Sequence, residues 1–274
     1  MPTEAFVPPP GLAPLRLTAR EIRGVAESGR SRPLYVDCVG SDGARVTVVL
    51  KLRVPGTPDT ANWGLCLTRD LVGSVLARRL GLPVPDYAVV SVDRPFIEVS
   101  SRHAEGARLQ ANGGENFGSV RLDSVLEGFC EERSAWAKVL TFDALSYNLD
   151  RKPSNPNVLW DGKVLFLIDQ GLIAPTWTFA IDGTTSATLY GHANITLHAA
   201  FRLLQKAGDA YADTIEAWGE AWGRLITPEF LSWARKLVPA GWATQGQLDE
   251  LFAFLAARGS IARLQERELV GVLK

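Results

Sequence analysis

The chain has 274 residues, of which 46% are hydrophobic and 22% charged, with a net charge of −1; it can bury a sizeable core as one large domain or as two lobes. So even a balance gives no electrostatic reason to expect nucleic acid or an anionic membrane as partner, and no apolar run approaches the roughly 20 residues of a membrane span. Three well-separated cysteines (Cys38, Cys66, Cys130) form neither a zinc motif nor a disulfide framework, and three histidines argue against a His-based triad; a reducing, cytoplasmic setting is expected.

Met1 to Pro14 carries five prolines and no basic-then-apolar signal pattern, so residues 1–20 read as an arm. Leu15 to Arg23 is a short strand or a helical turn. Glu27 to Pro33 is a small polar loop with a glycine, followed by strands at Leu34–Cys38 and Ala44–Arg53 around the turn Gly40-Ser-Asp-Gly43. Strand, glycine loop and hairpin resemble a lid over phosphate groups; taken alone, the segment is more simply a plain surface turn.

In the second strand, alternation sends Val46, Val48, Leu50 and Leu52 to one face and Lys51 to the other. A strand lysine is commonly a solvated outer-face residue. It can instead reach into a cleft to meet phosphate oxygens, and a metal-binding loop downstream favours that reading. Thr68 to Leu80 has helical spacing, with Thr68 as N-cap and Gly81 with Pro83 ending it. Asp70 then lies in the first turn, where the helix dipole explains an acid; it is also placed to meet Lys51.

Strands are expected at Tyr87–Val92 and Phe96–Ser100, and Ser101 to Val120 reads as a long polar loop. Leu122–Cys130 and Glu131–Tyr147 read as helical. Asp143 falls on the apolar stripe of the second and is expected to be a buried acid bonded to the backbone of the loop that follows.

That loop, Asn148 to Asn157, leads into a hairpin turning at Asp161-Gly162 and then into Ile168-Asp169-Gln170-Gly171. A two-residue turn pairs Trp160 with Lys163 and sets Ser154 and Asn155 opposite Ile168 and Asp169. Asp150, Asn155 and Asp169 thereby converge. One carboxylate to receive a hydroxyl proton, with an amide and a second carboxylate to hold magnesium, is what phosphoryl transfer uses. Asn157 is the alternative amide; the five-residue offset from Asp150 and the pairing register favour Asn155. A plain Asx-rich turn capping a hairpin is the competing explanation of the whole loop. Leu172 to Gly183 stands where a kinase keeps its activation segment, and Thr184, Thr185, Ser186 and Thr188 read as ordinary loop hydroxyls or, less simply, phosphoacceptors. Ile195–Ala207, Tyr211–Ile226, Pro228–Leu237 and Gln247–Leu264 read as a helical block whose tryptophans pack the core.

With these residues in view, the chain resembles the HipA-like kinases, in particular short single-module members. The likeness runs from about residue 22 through Gly29–Pro33, Val49–Lys51, Leu76–Pro85, Phe117-Gly-Ser119, Phe142–Arg151, Asn155-Pro-Asn157 and Ile168–Gly171. It implies an α+β, two-lobed protein-kinase-like fold, with a strand-rich N-lobe over 21–100 and a mainly helical C-lobe over 101–274. It implies ATP and Mg2+ as cofactors, Lys51 on the nucleotide phosphates, Asp150 as catalytic base, and Asn155 and Asp169 as metal ligands. Ser28, Gly29, Ser31 and Arg32 are expected near the triphosphate, and Asp70 stands where the family commonly has Glu. The acceptor is expected to be a protein Ser/Thr hydroxyl, the chain's own included; a small-molecule or lipid head-group kinase and a nucleotide-binding regulatory module are the alternatives. The family also implies a toxin–antitoxin type of protein partner. Lys152 replaces the family's usual histidine, and Gln170 stands in the usual Asp-His-Gly.

Overall fold

A computed structural model describes residues 6–26, 31–54, 63–127, 131–174 and 191–274. Residues 1–5 of the expected arm, Ser28, Gly29, Cys130 and the hydroxyls at 184–188 lie outside the described residues.

The chain opens with β1 (Leu15–Val25), β2 (Leu34–Gly40) and β3 (Arg45–Lys51), then α1 (Trp63–Arg79) and β4 (Tyr87–Val92). Next come α2 (Arg94–Ser100), α3 (Gly106–Gln110) and β5 (Gly114–Val120). The five strands close a barrel in the order β1-β2-β3-β5-β4, sealed by a parallel pairing of β1 with β4. Val48, Leu50 and Leu52 are wholly buried among the barrel's interior side chains, as the alternation in β3 demands. Lys51 therefore leaves on the outer face, opposite Phe117 of β5. The interior is tight enough to require a glycine: a Cβ on Gly118 would stand 2.7 Å from a methyl of Val90.

Four readings of this region are corrected. Phe96–Ser100 is helix, because the Asp93 side chain accepts from the Phe96 N–H at 3.0 Å and Pro95 occupies a first-turn position that needs no donor. The segment 101–120 is not irregular: it holds α3 and the barrel's fifth strand. Buried Asn112 and Asn116 accept from the Val54 and Arg53 N–H groups at 2.7 and 3.1 Å, so polar residues bind this strand in place. Thr68 does not cap α1. The helix is already under way at Trp63, and Thr68 is an interior residue whose hydroxyl donates to the Gly64 carbonyl at 3.0 Å. Asp70 thus sits in the helix interior, and the helix dipole no longer accounts for it.

The second half begins with β6 (Leu126–Glu127), α4 (Arg133–Ser146), β7 (Val158–Trp160) and β8 (Leu165–Leu167). Leu126 is 72% exposed and pairs with Trp160, so the expected helix over 122–130 is a short edge strand within the described residues. Then follow α5 (His192–Leu197), α6 (Phe201–Gln205), α7 (Ala212–Leu225), α8 (Pro228–Lys236) and α9 (Gln245–Leu273). The expected helix over 195–207 is broken at His198, whose ring accepts the Ala200 N–H at 3.0 Å. Thr227 caps α8, and Thr244 with Gln247 forms a capping box on α9. A second hydrophobic cluster joins α1, α4 and these helices around Trp136, Phe142, Trp222 and Phe230, all buried. Trp242 is also buried and donates to the Glu115 carbonyl of β5 at 2.9 Å. Among the described residues no helix is long and apolar enough to cross a membrane.

Candidate active site

Lys51 Nζ, on the outer face of β3, donates to Asp70 Oδ2 of α1 at 2.9 Å and to Asp169 Oδ1, just after β8, at 2.8 Å. Asp70 is closed off from water, whereas the Asp169 side chain is 43% exposed. Asp70 binds in two directions: its other oxygen accepts the Gln170 N–H at 2.8 Å. One helical acid thereby fixes both the lysine and the segment that carries Asp169. The approach is close, since a Cβ on Gly73 of α1 would fall 2.5 Å from the Cβ of Gln170. Asp169 itself adopts a left-handed conformation at φ 56°, a conformation costing on the order of 1 kcal/mol that the surrounding bonds maintain.

The charges within this cluster are unequal. Burial raises the Asp70 carboxyl to about 6, against the attraction of Lys51. Desolvation also acts to raise Asp169, but the charge and hydrogen bond of Lys51 outweigh it and hold this carboxyl below the usual range. Burial disfavours the Lys51 charge, yet Asp169 and Asp70 together push its pKa up, so the ammonium is retained.

The loop after α4 supplies the second group. Tyr147, in a left-handed conformation, ends α4, and Arg258 of α9 donates to the Ala144 and Leu145 carbonyls at 2.6 and 2.9 Å. Asp150 Oδ2 accepts from Asn155 Nδ2 and Asn157 Nδ2, both at 3.3 Å. Partial burial and then the charge of Asp169 raise the Asp150 carboxyl, which places the two acids within electrostatic reach of each other. Beneath them Asp143 is wholly buried. It accepts from Arg151 Nε, from Asn148 Nδ2 at 3.2 Å and from His198 Nε2 at 2.8 Å. Because His198 Nδ1 accepts a backbone N–H, Nε2 carries the proton. Burial acts to raise Asp143, but Arg151 and then His198 hold it below the usual range. Arg151 also donates to the Pro156 and Asn157 carbonyls and, at 3.3 Å, to Gln170 Oε1. The buried acid is as expected, but its loop contacts are chiefly to side chains rather than to the loop backbone.

The hairpin register is corrected. Trp160 pairs with Leu165, Leu159 with Phe166 and Val158 with Leu167, and the Ile168 N–H reaches the Asn157 carbonyl at 3.1 Å. Asp161 Oδ1 accepts from both the Lys163 and the Val164 N–H, at 2.8 and 2.7 Å, which widens the turn to four residues. The slip of two keeps every side chain on its expected face. It sets Asn157, not Asn155, opposite Ile168, so the register no longer favours Asn155 over Asn157.

The structure thus brings Lys51, Asp70 and Asp169 into direct contact, and Asp150 into contact with Asn155 and Asn157. Ser31 and Arg32 are tied to the start of α3: the Ser31 carbonyl accepts from Arg108 at 2.6 Å, and Arg32 pairs with Glu105 at 3.2 Å. Sequence reasoning missed His198 and the tie of Gln170 to Arg151; the apolar setting of Asp143, which demands polar partners, was the available signal. No group of three or more His, Cys, Asp and Glu side chains forms a metal cage among the described residues.

The sequence model of the HipA-like kinases matches residues 19–229. Among solved structures the chain is similar to the Helicobacter pylori proinflammatory kinase CtkA, with a TM-score of 0.50 and 10% identity, over 94% of this chain and 99% of that one. That identity carries the fold alone. No curated protein matches. A family match over residues 19–229, around a lysine held between two aspartates, gives the assignment: this chain belongs to the HipA-like kinase family.

Proposed function

We propose that the chain is an ATP- and magnesium-dependent phosphotransferase acting on a protein Ser or Thr hydroxyl. The observation that carries this reading is Lys51 Nζ held at 2.9 and 2.8 Å between Asp70 and Asp169. The barrel with α1 then serves as the nucleotide lobe and the helical remainder as the catalytic lobe. Asp70, Asp150 and Asp169 set three carboxylates against Lys51 and, beside Asp150, Lys152, since the Arg151 guanidinium is sealed against Asp143. That surplus of negative charge fits a divalent cation. Magnesium held through one or two carboxylates, an amide and nucleotide oxygens needs no cage of protein ligands.

In this reading Asp169 and Asn155 hold the metal; Asn157, which also reaches Asp150, is the second candidate for the amide. When bound, the cation neutralises charge on the phosphate oxygens. Lys51 keeps its charge and orients the phosphates, with Asp70 maintaining its position. Asp150, with its pKa raised, accepts the proton of the incoming hydroxyl and aligns it. Asn148 and Arg151 hold the base loop in shape. Ser28, Gly29, Ser31 and Arg32 belong to the loop proposed to approach the nucleotide.

The test is incubation of purified protein with γ-labelled ATP and magnesium. Label should reach a protein hydroxyl and disappear in Asp150→Ala, while nucleotide binding persists. Transfer that survives Asp150→Ala unchanged would remove the assigned base.

A further inference from the structure

Between the base loop and α5 lies a concavity of about 180 Å³ lined by Leu149, Arg151, Lys152, Asn194, Leu197 and His198. It has room for about six waters, the scale of one amino-acid side chain. Its floor is built rather than incidental. Arg151 and His198 are both buried and both bonded to Asp143, and the Ala199 N–H donates to the Arg151 carbonyl at 2.9 Å. The two walls are thereby joined to the residue next to Asp150.

The rim presents two exposed side chains, one apolar and one charged. Leu197 is 61% exposed although Ile195 and His198 beside it are buried. Lys152, two positions after Asp150, is exposed, and its charge acts on the Asp150 carboxyl. A larger concavity of about 320 Å³ lies on the barrel. Its arginines are already matched, Arg16 to Glu115 at 2.8 Å and Arg20 to Asp93 at 3.4 Å.

We infer that the concavity beside Asp150 is the acceptor subsite, and that it selects a protein segment bearing an aliphatic and an acidic side chain near the phosphorylated Ser or Thr. The inference rests on the phosphotransferase reading above. An extended segment carries side chains at about 3.3 Å per residue, so its aliphatic group covers Leu197 and its carboxylate meets Lys152 while its hydroxyl lies at Asp150. A bare polyol would leave Leu197 wet. The Lys152 charge then acts as a specificity determinant.

The experiment is a positional-scanning Ser/Thr peptide library with labelled ATP and magnesium, read as selectivity ratios within each protein. Wild type should favour an acidic residue at one flanking position and an aliphatic one at another. Lys152→Glu should reverse the acidic preference by about tenfold, the effect of turning one exposed charge pair from attraction to repulsion. Leu197→Ala and Leu197→Glu should remove the aliphatic preference, with melting curves confirming that the variants fold. Peptide phosphorylation with ratios unchanged in every variant would place acceptor recognition elsewhere. ATP turnover with no transfer to any peptide would overturn the protein-segment assignment alone. Absence of both ATP binding and turnover in wild type would overturn the kinase reading, and the subsite with it.

Discussion

Asp70 in α1 and Asp143 in α4 are both buried and each stands beside a basic side chain, yet their surroundings drive them in opposite directions. Asp70 shares the single Lys51 charge with Asp169, and burial raises its carboxyl to about 6. Asp143 is met by three donors, Arg151, His198 and Asn148, and its carboxyl is held below the usual range. The difference lies in the ratio of acids to donors rather than in burial. The Lys51 cluster is short of positive charge and opens to solvent at Asp169, which suits the metal and nucleotide site proposed above. The Asp143 cluster is saturated and closed, which suits a part that keeps its geometry while chemistry proceeds beside it.

The largest effect should come from breaking the closed cluster. Asp143→Ala leaves the Arg151 guanidinium buried without its partner and should cost about 3–5 kcal/mol of stability in urea unfolding. Asp70→Asn, at an equally buried site whose ionised form is disfavoured, should cost less than about 1 kcal/mol by the same measurement. Equal losses would end the distinction between the two clusters.

Next in size, Lys51→Ala and Asp169→Ala should each lower phosphate transfer by about 100-fold or more, with unfolding midpoints close to wild type. A large loss of stability without a selective loss of transfer would make the lysine a structural residue.

Much of this arrangement was legible in the sequence. Alternation in β3 put Lys51 on the outer face, and the apolar stripe of α4 announced Asp143 as a buried acid. Asp70 was legible as a residue and not in its setting. The N-cap signal at Thr68 was false, because a threonine hydroxyl bonds the carbonyl four residues back inside a helix as readily as it caps one. The hairpin register was two residues out because the side chain of Asp161 competed with the tight turn that Asp-Gly favours. Polar residues hid β5: Asn112 and Asn116 bond backbone rather than water, and propensity has no term for that. His198 could not be found, since its partner lies 55 positions away in the chain.

Acidity separates the clusters in a smaller way. Asp143 contributes stability that is present above about pH 4 and is lost as pH falls through its lower folded value. His198, held below its ordinary value of 6.5 mainly by burial, stays neutral while the unfolded chain takes up a proton. Both therefore lower stability on acidification, His198 below about pH 6.5 and Asp143 below about pH 4. Asp70 acts in the opposite sense: the folded chain keeps its proton up to about pH 6, so its contribution declines as pH rises from about 4 to 6. Asp70→Asn should steepen the acid loss between pH 6 and 4, by at most about 1.4 kcal/mol per pH unit. An unchanged profile would contradict the raised carboxyl. The smallest contrast is within the base loop. Asn155→Ala and Asn157→Ala each remove one 3.3 Å bond to Asp150, and the one whose loss raises the magnesium requirement more is the metal's amide.

The most direct test of the Lys51–Asp169 assignment is the increment in ATP affinity on adding magnesium, measured by calorimetry for wild type and Asp169→Ala. Wild type should bind ATP more tightly with magnesium than without it, and Asp169→Ala should lose most of that gain. An increment of the same size in the variant would show that Asp169 holds no metal and would contradict the account.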